Sequence, residues 1–460
     1  MKSSWRENCG VFGIWKVPEA AHLNYLGLFA LQHRGQEGAG IVSGTHESFW
    51  GRRSSGLVSQ VFDREALNQL QGETAIGHVR YSTVGNQADK NLQPLWVQGE
   101  WGELAVAHNG TLTNAQELRL ELESQGSVFQ SSVDTEVILH LFARTKGSFR
   151  ERIDATLSRV AGAFSLLILY RDSKELRLAA IKDPFGFRPL CVGRLQEGYA
   201  IGSESCAFDL VGASWEAELE AGEVYEFHSK GVDRWKLNSK APRTAPCVFE
   251  WIYFSRPDSN SFGRSVYEFR KQTGALLAER DQRASLRADL VMGVPDSGIP
   301  AAIGYSQQSG LPFEMGLIRN HYIGRTFIEP HQSIRDFRVK IKQNPLPKSL
   351  EGKRIVVVDD SIVRGTTSRK INMLLREAGA REIHLRIAAP PTISPCYYGI
   401  DTPTENELIA SKKSIEEIRD FIFADSLEYL SLEDLRQLTQ GASVCHACFS
   451  KDYPSGIPKL

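Results

Sequence analysis

From Arg354 to Arg369 the chain reads Arg-Ile-Val-Val-Val-Asp-Asp-Ser-Ile-Val-Arg-Gly-Thr-Thr-Ser-Arg, and the fold of its second half is decided there. Ile355–Val358 is a β-branched run, the pattern of a strand buried on both faces in a parallel sheet. It ends on two adjacent carboxylates, Asp359 and Asp360, followed by hydroxyls and a glycine. Ser368 is a candidate cap for a helix whose apolar positions Ile371, Leu374, Leu375 and Ala378 recur at helical spacing. A parallel strand, a hydroxyl-rich loop and a helix start form a phosphate cradle, with backbone N–H groups and the positive helix end facing an anion. The acids themselves suit sugar hydroxyls, or a Mg²⁺ bridging to pyrophosphate.

Gly365 permits the turn, and Ser361, Arg364, Thr366 and Thr367 supply donors; no Lys follows the glycine as it would in a Walker loop. The whole stretch resembles the phosphoribosyl-pyrophosphate (PRPP) loop of the phosphoribosyltransferases.

Around this anchor, strand and helix patterns alternate: Leu290–Gly293 strand, Pro300–Ser309 helix, Phe313–Leu317 strand, the anchor, then Glu382–Ile387 strand. That rhythm predicts a doubly wound α/β sheet. Asn320–Lys348, rich in Arg and Lys and without periodicity, reads as a long loop, a lid or a disordered segment. The last part reads as helical over Ser414–Phe423 and Ser431–Gln440. Upstream, Leu237–Pro246 reads as a linker. Before it lie strand patterns at Val11–Trp15, Gly38–Val42, Ala75–Val79, Leu104–Ala107, Ser165–Tyr170 and Leu176–Ile181. Two helices are predicted there: Asn114–Glu123, with a Thr113/Gln116 capping box, and Thr135–Arg144 capped by Asp134. Many strands with few helices predict an α+β domain of stacked sheets flanked by helices.

The 460 residues allow two to three domains. A net charge of −1 gives no field for nucleic acid or a membrane surface. The longest apolar run, Ala163–Tyr170, is too short to span a bilayer, and Met1–Asn8 lacks a signal-peptide core. Seven cysteines, an odd number, fit a reducing cytoplasm better than disulfides.

Cys9 sits in Asn-Cys-Gly-Val-Phe-Gly-Ile, and alone reads as a small buried residue. Gln32-His33-Arg34-Gly35-Gln36-Glu37-Gly38-Ala39-Gly40, Gly77-His78-Val79-Arg80-Tyr81-Ser82-Thr83 and Ala107-His108-Asn109-Gly110 follow it. Together they resemble the glutaminase domain of the N-terminal-nucleophile amidotransferases. The resemblance implies that residues 1–8 are a propeptide and that Cys9, once exposed, is the nucleophile. It implies Asn109 and Gly110 as oxyanion donors, Arg80 for the glutamine α-carboxylate and Asp134 for its α-amine. With Val291-Met292-Gly293-Val294-Pro295-Asp296-Ser297-Gly298, Phe254-Ser255-Arg256-Pro257-Asp258-Ser259 and Gly324-Arg325-Thr326-Phe327, the chain resembles the amidophosphoribosyltransferase family over nearly its whole length.

That resemblance implies a glutaminase domain over 9–240, a type I phosphoribosyltransferase domain over 247–410 and a tail over 411–460. Ammonia freed from glutamine would displace pyrophosphate from C1 of PRPP, the committed step of purine synthesis. Ser297, Asp359 and Asp360 match the Mg²⁺ positions, and Arg325, Arg335, Arg338 and Lys340 of the closing loop could meet phosphates. Cys445-x-x-Cys448 alone is a moderate metal signal, with zinc as one option. Cys247 and Cys396 match the remaining ligand positions of the family's iron–sulfur branch, which implies a [4Fe–4S] cluster. Cys191 and Cys206 read as core. Purine nucleotides as feedback inhibitors and a homotetramer are further implications.

Two departures stand out: Phe185 where the family usually has Asn, and Lys342-Gln343-Asn344 for the usual Lys-Leu-Asn. The rivals are a glutamine-dependent sugar-phosphate aminotransferase, which should lack the anchor loop, and a catalytically silent PRPP-sensing regulator.

Overall fold

The computed structural model describes residues 7–82, 89–238, 241–320 and 343–458. In the first half, two antiparallel sheets stack face to face. One has seven strands, in the order Ser214–Glu218, Cys191–Leu195, Gly198–Gly202, Glu7–Trp15, Thr74–Ser82, Gly38–Gly44 and Phe49–Ser55. The other has six: Gly231–Lys236, Glu223–His228, Leu176–Lys182, Gly162–Arg171, Gly102–Leu112 and Leu95–Gly99. Alternation dictates the layering, because neighbouring side chains on a strand point to opposite faces. Val11, Ile76, Ala105, Ala107, Leu167 and Leu178 fill the space between the sheets. Phe12, Ile14 and Ile41 face outward under the Ala20–Ala30 helix. Leu104, Val106, Leu166 and Ile168 face the other way, under the helices Ala115–Ser124, Glu136–Arg144 and Phe149–Leu157. The α+β sandwich is as expected, and all six predicted strands are present.

Two predicted helix caps are not. Thr113 caps nothing; the Ala115–Ser124 helix starts from Asn114, whose side chain instead ties down Arg159 O (2.8 Å) and Ala161 N (2.9 Å). Asp134 makes no cap bond to the Glu136–Arg144 helix and accepts from the Leu112 N–H at 2.8 Å across the sheet. A capping pattern is local, and here tertiary partners outcompeted it.

The second half is a four-stranded parallel sheet, ordered Leu290–Gly293, Arg354–Asp359, Glu382–Ile387, Ser426–Tyr429. The Val266–Arg283 and Ile299–Ser309 helices pack together beside it, and the Thr366–Glu377 helix buries Ile371, Leu374, Leu375 and Ala378 as its spacing predicts. That helix starts from Gly365 at φ 73°, so Ser368 lies inside its first turn and is not the cap. The expected Phe313–Leu317 strand is reduced to a single bridge, Val291 with Phe313. Leu317–Arg319 pairs instead with Gln343–Pro345 as an antiparallel ribbon at the base of the predicted lid. Residues beyond 410 are not only helical: Ser426–Tyr429, between the helices Ile415–Phe421 and Leu432–Leu438, completes the sheet. Among the described residues no helix is long and apolar enough to cross a membrane.

Candidate active site

Cys9 is fully buried on the Glu7–Trp15 strand, directly opposite Arg80 on Thr74–Ser82. The strand continues back through Asn8 and Glu7, which pair with Tyr81 and Ser82. The Cys9 carbonyl accepts from Arg34 Nε at 3.0 Å. The two sheets are pinned together at this point. His78 Nε2, two residues before Arg80, lies 3.1 Å from the carbonyl of His108, and Asn109 comes next along that strand. Burial first, then the positive charge of Arg80, pushes the His78 imidazole down to about 3, so it stays neutral.

Asn109 is 1% exposed and its Nδ2 has no hydrogen-bond partner. A buried orphan N–H donor costs about 1–3 kcal/mol, so its presence points to a ligand that pairs with it. The next residue, Gly110, has φ 147°, and a Cβ there would sit 2.1 Å from the Ala163 carbonyl, so only glycine fits. Its sheet neighbour Phe164 gives its N–H and carbonyl to Asp183, which leaves the Gly110 N–H directed away from that neighbour. Behind Asn109, His108 is held by Gln93 Oε1 on its N–H (2.7 Å) and by Thr135 Oγ1 at Nδ1 (3.0 Å). Burial pushes the Asp134 carboxyl up, but the His108 charge 3.6 Å away and the Leu112 and Thr135 N–H groups outweigh it. Asp134 is therefore an anion at neutral pH.

The acid-pair site lies where the Leu290–Gly293 and Arg354–Asp359 strands end side by side. Burial first, then the charge of Asp360, raises the Asp359 carboxyl well above the usual carboxylate range. Asp360 is raised by burial, against hydrogen bonds from Ser297 and Ser361 (2.5 Å). The Ser297 contact joins the two strand-end loops that sequence had paired. Arg270, 3% exposed and bonded to Trp251 O and Ser255 O, adds a positive charge behind Asp360. Thr366 and Thr367 open outward at the helix start, and Arg364 rests on Glu407 at 2.8 Å in an exposed pair of little energetic weight. Two adjacent carboxyls held apart from water just before a helix N-terminus suit a hydrated divalent cation with an anionic ligand. Arg325, Arg335, Arg338, Lys340 and Lys342 lie outside the described residues, as do residues 1–6.

The four candidate cluster cysteines are brought together from three segments. Cys247 and Cys445 form a parallel bridge, with Cys445 N on Pro246 O (2.8 Å) and Val248 N on Cys445 O (3.1 Å). Ile393 N donates to Cys448 O at 2.9 Å, and Cys396 Sγ accepts from Tyr398 N at 3.3 Å. Burial, then the neighbouring thiols, pushes Cys445 and Cys448 far up, so neutral thiols are favoured. Among the described residues no three His, Cys, Asp or Glu side chains are close enough to share one metal ion. Cys191 and Cys206 are buried structural thiols. Phe185 stacks on Phe187 (5.1 Å), which stacks on Tyr398 (4.3 Å), so the departure from Asn is absorbed by aromatic packing.

Between the two halves lies a buried ion network of Arg34, Glu204, Glu250 and Arg188. Arg34 donates to Glu204 (2.5 Å) and to both oxygens of Glu250 (2.8 and 3.1 Å), and Arg188 also donates to Glu250 (3.1 Å). Arg188 reaches on to the carbonyl of Tyr398 at 2.7 Å. Burial pushes the Glu204 and Glu250 carboxyls up, but His33 and Arg34 around the first, and Arg34 and Arg188 around the second, hold both below the ordinary value of 4.5. A folded value below the unfolded one gives stability that is full above about pH 4.5 and lost as pH falls further. This network should therefore make the thermal unfolding midpoint fall as pH drops below about 4.5; a Glu204→Gln variant, already less stable by roughly 3–5 kcal/mol, should fall less steeply.

Comparison with known proteins agrees with this layout. A family profile described as a glutamine amidotransferase domain matches residues 78–209, and one described as a phosphoribosyl transferase domain matches 266–392. The chain is 52% identical over 456 residues to amidophosphoribosyltransferase 1, chloroplastic, of Arabidopsis thaliana, covering 98% of this chain and 79% of that one. It is 47% identical to the amidophosphoribosyltransferase of Bacillus subtilis (strain 168), covering 98% and 95%. Among solved structures it is similar to the glutamine PRPP amidotransferase from B. subtilis complexed with ADP and GMP. The TM-score is 0.91 and the identity 46%, over 98% of each chain.

Proposed function

This chain belongs to the amidophosphoribosyltransferase family, a family of glutamine-dependent phosphoribosyltransferases, and from that premise we propose the residues that carry each half of the reaction. Cys9 is the glutaminase nucleophile. Removal of residues 1–8 frees its α-amine, a base with a reference pKa of about 8 that can take the thiol proton. The sulfur attacks the side-chain amide carbon of glutamine, and the resulting oxyanion is held by Asn109 Nδ2 and the Gly110 N–H. The amine then returns its proton to the leaving nitrogen, ammonia departs, and water hydrolyses the thioester to glutamate. Arg80 binds the substrate α-carboxylate and Asp134, anionic at neutral pH, its α-ammonium.

In the second site ammonia attacks C1 of PRPP and pyrophosphate leaves. Asp359, Asp360 and Ser297 would hold a Mg²⁺, which when bound supplies countercharge to the leaving pyrophosphate. Ser361, Gly365, Thr366 and Thr367 offer donors to the 5′-phosphate, with Arg364, now resting on Glu407, and Arg325 as further cations for the phosphates. Cys247, Cys396, Cys445 and Cys448 would hold a [4Fe–4S] cluster in a structural role, tying the tail to the start of the second domain. Anaerobic purification should yield iron and sulfide in stoichiometric amounts, lost when any one of the four is replaced by Ser. Purine nucleotides, whose 5′-phosphates suit the same cradle, are the proposed feedback inhibitors, and the homotetramer of the family is the proposed assembly.

The observation that carries the glutaminase reading is the unpartnered, buried Asn109 Nδ2, the residue after the His108 carbonyl that His78 meets. Asn109→Ala should lower glutamine-dependent kcat by about 10²–10³ with little change in KM, as loss of one oxyanion donor does. Unchanged kcat would remove Asn109 from the site.

A further inference from the structure

Arg34 bonds the backbone of Cys9, and its guanidinium is gripped from the other half of the chain. Its Nε donates to the Cys9 carbonyl at 3.0 Å, while both terminal nitrogens are fixed by Glu250, with Glu204 sharing one of them. The Phe254 ring closes over the guanidinium at 4.2 Å, and Ser255 Oγ donates to Glu250 at 2.8 Å, so one turn of the second half orients the whole fork. Arg34, Glu250, Arg188 and Glu204 are each no more than 1% exposed. Two cations and two anions balance, which would suffice to seal an interface. Sealing does not require that the free edge of one guanidinium end on the nucleophile's own carbonyl.

We propose that Glu250 is a positioning residue for the Cys9 site: from the second half of the chain it aims Arg34, and through Arg34 it holds the Cys9 main chain in place. The inference rests on Cys9 being the glutaminase nucleophile. It makes glutamine cleavage depend on how the two halves are docked, because Arg188 carries the same carboxylate on to the Tyr398 carbonyl. A nucleophile misplaced by about 1 Å can lose about 10²-fold in rate, while substrate contacts made by Arg80 and Asp134 are untouched.

The test is Glu250→Gln in the full-length enzyme, measured with glutamine and, separately, with ammonia as nitrogen donor. The expected result is a fall of at least tenfold in glutamine-dependent kcat, with the glutamine KM within threefold and the ammonia-dependent rate within twofold of the parent. A glutamine-dependent kcat within twofold, or a parallel fall with both donors, overturns the inference. Where Glu250→Gln fails to fold, Glu250→Asp decides: it keeps the charge and shortens the arm, and the same split of at least threefold is required. Cys9→Ala run alongside separates the two readings. If it too retains glutamine-dependent turnover, the nucleophile assignment fails; if only the Glu250 variants do, the positioning role alone fails.

Discussion

Replacing Cys9 with alanine should abolish glutamine-dependent phosphoribosylamine formation, by at least about 10³-fold, while ammonia-dependent formation stays within twofold. The split follows from the separation of the sites. Cys9 lies in the sandwich of two antiparallel sheets, and the acid pair lies at the end of a parallel sheet with its own core. Volume changes little, since the thiol is replaced by a hydrogen on a fully buried strand residue. The cost to stability should be about 1 kcal/mol or less, so lost activity cannot be put down to unfolding. Product formation would be followed with each donor on the same preparation. Retained glutamine turnover would place the nucleophile elsewhere.

Asp360→Asn should have the opposite signature in two ways. Both nitrogen donors should fail, by more than about 10²-fold, because either must displace pyrophosphate at the same carbon. The protein should also be as stable or slightly more stable. Burial and mutual repulsion raise the acid pair above ordinary carboxylates. A folded value above the unfolded one means stability that is full below the unfolded value and lost as pH rises through the folded one. At neutral pH the pair is therefore a strain on the fold, and removing one charge relieves it. A thermal midpoint that holds or rises by a few degrees alongside lost synthesis is expected. A sharp drop in midpoint with partial activity would mean that Asp360 is a structural residue.

The parts of this molecule legible in the sequence are those whose cause is local. Ile355–Val358 had to be a doubly covered strand, and the strand, acid pair and Gly-Thr-Thr turn could be read from sixteen residues because every contact among them is close in the chain. Resemblance then supplied Cys9, Arg80, Asn109 and Asp134, and the structure sets Cys9 and Arg80 on paired strands, Asn109 on a strand of the other sheet and Asp134 in the turn before the Glu136–Arg144 helix. What stayed hidden depends on distant partners. Ser426–Tyr429 is four residues long and becomes a strand only because Glu382–Ile387 offers it an edge. Asp134 looked like a helix cap, and only the fold shows that its carboxylate faces the Leu112 N–H. Glu250 sits in an aromatic run, Glu-Trp-Ile-Tyr-Phe, where nothing nearby hints at two arginines 216 and 62 residues away. A buried charge of this kind is visible in sequence only as an acid among apolar neighbours, a signal too common to act on.

The most direct test is whether nitrogen passes within the chain from one site to the other. Glutamine labelled with ¹⁵N at its amide would be supplied with PRPP in the presence of excess unlabelled ammonium, and the isotope content of trapped phosphoribosylamine measured by mass spectrometry. Label far above its share of the bulk ammonia is the predicted result. Product diluted to the bulk ratio would mean that the two halves merely share a chain, and the account would be wrong.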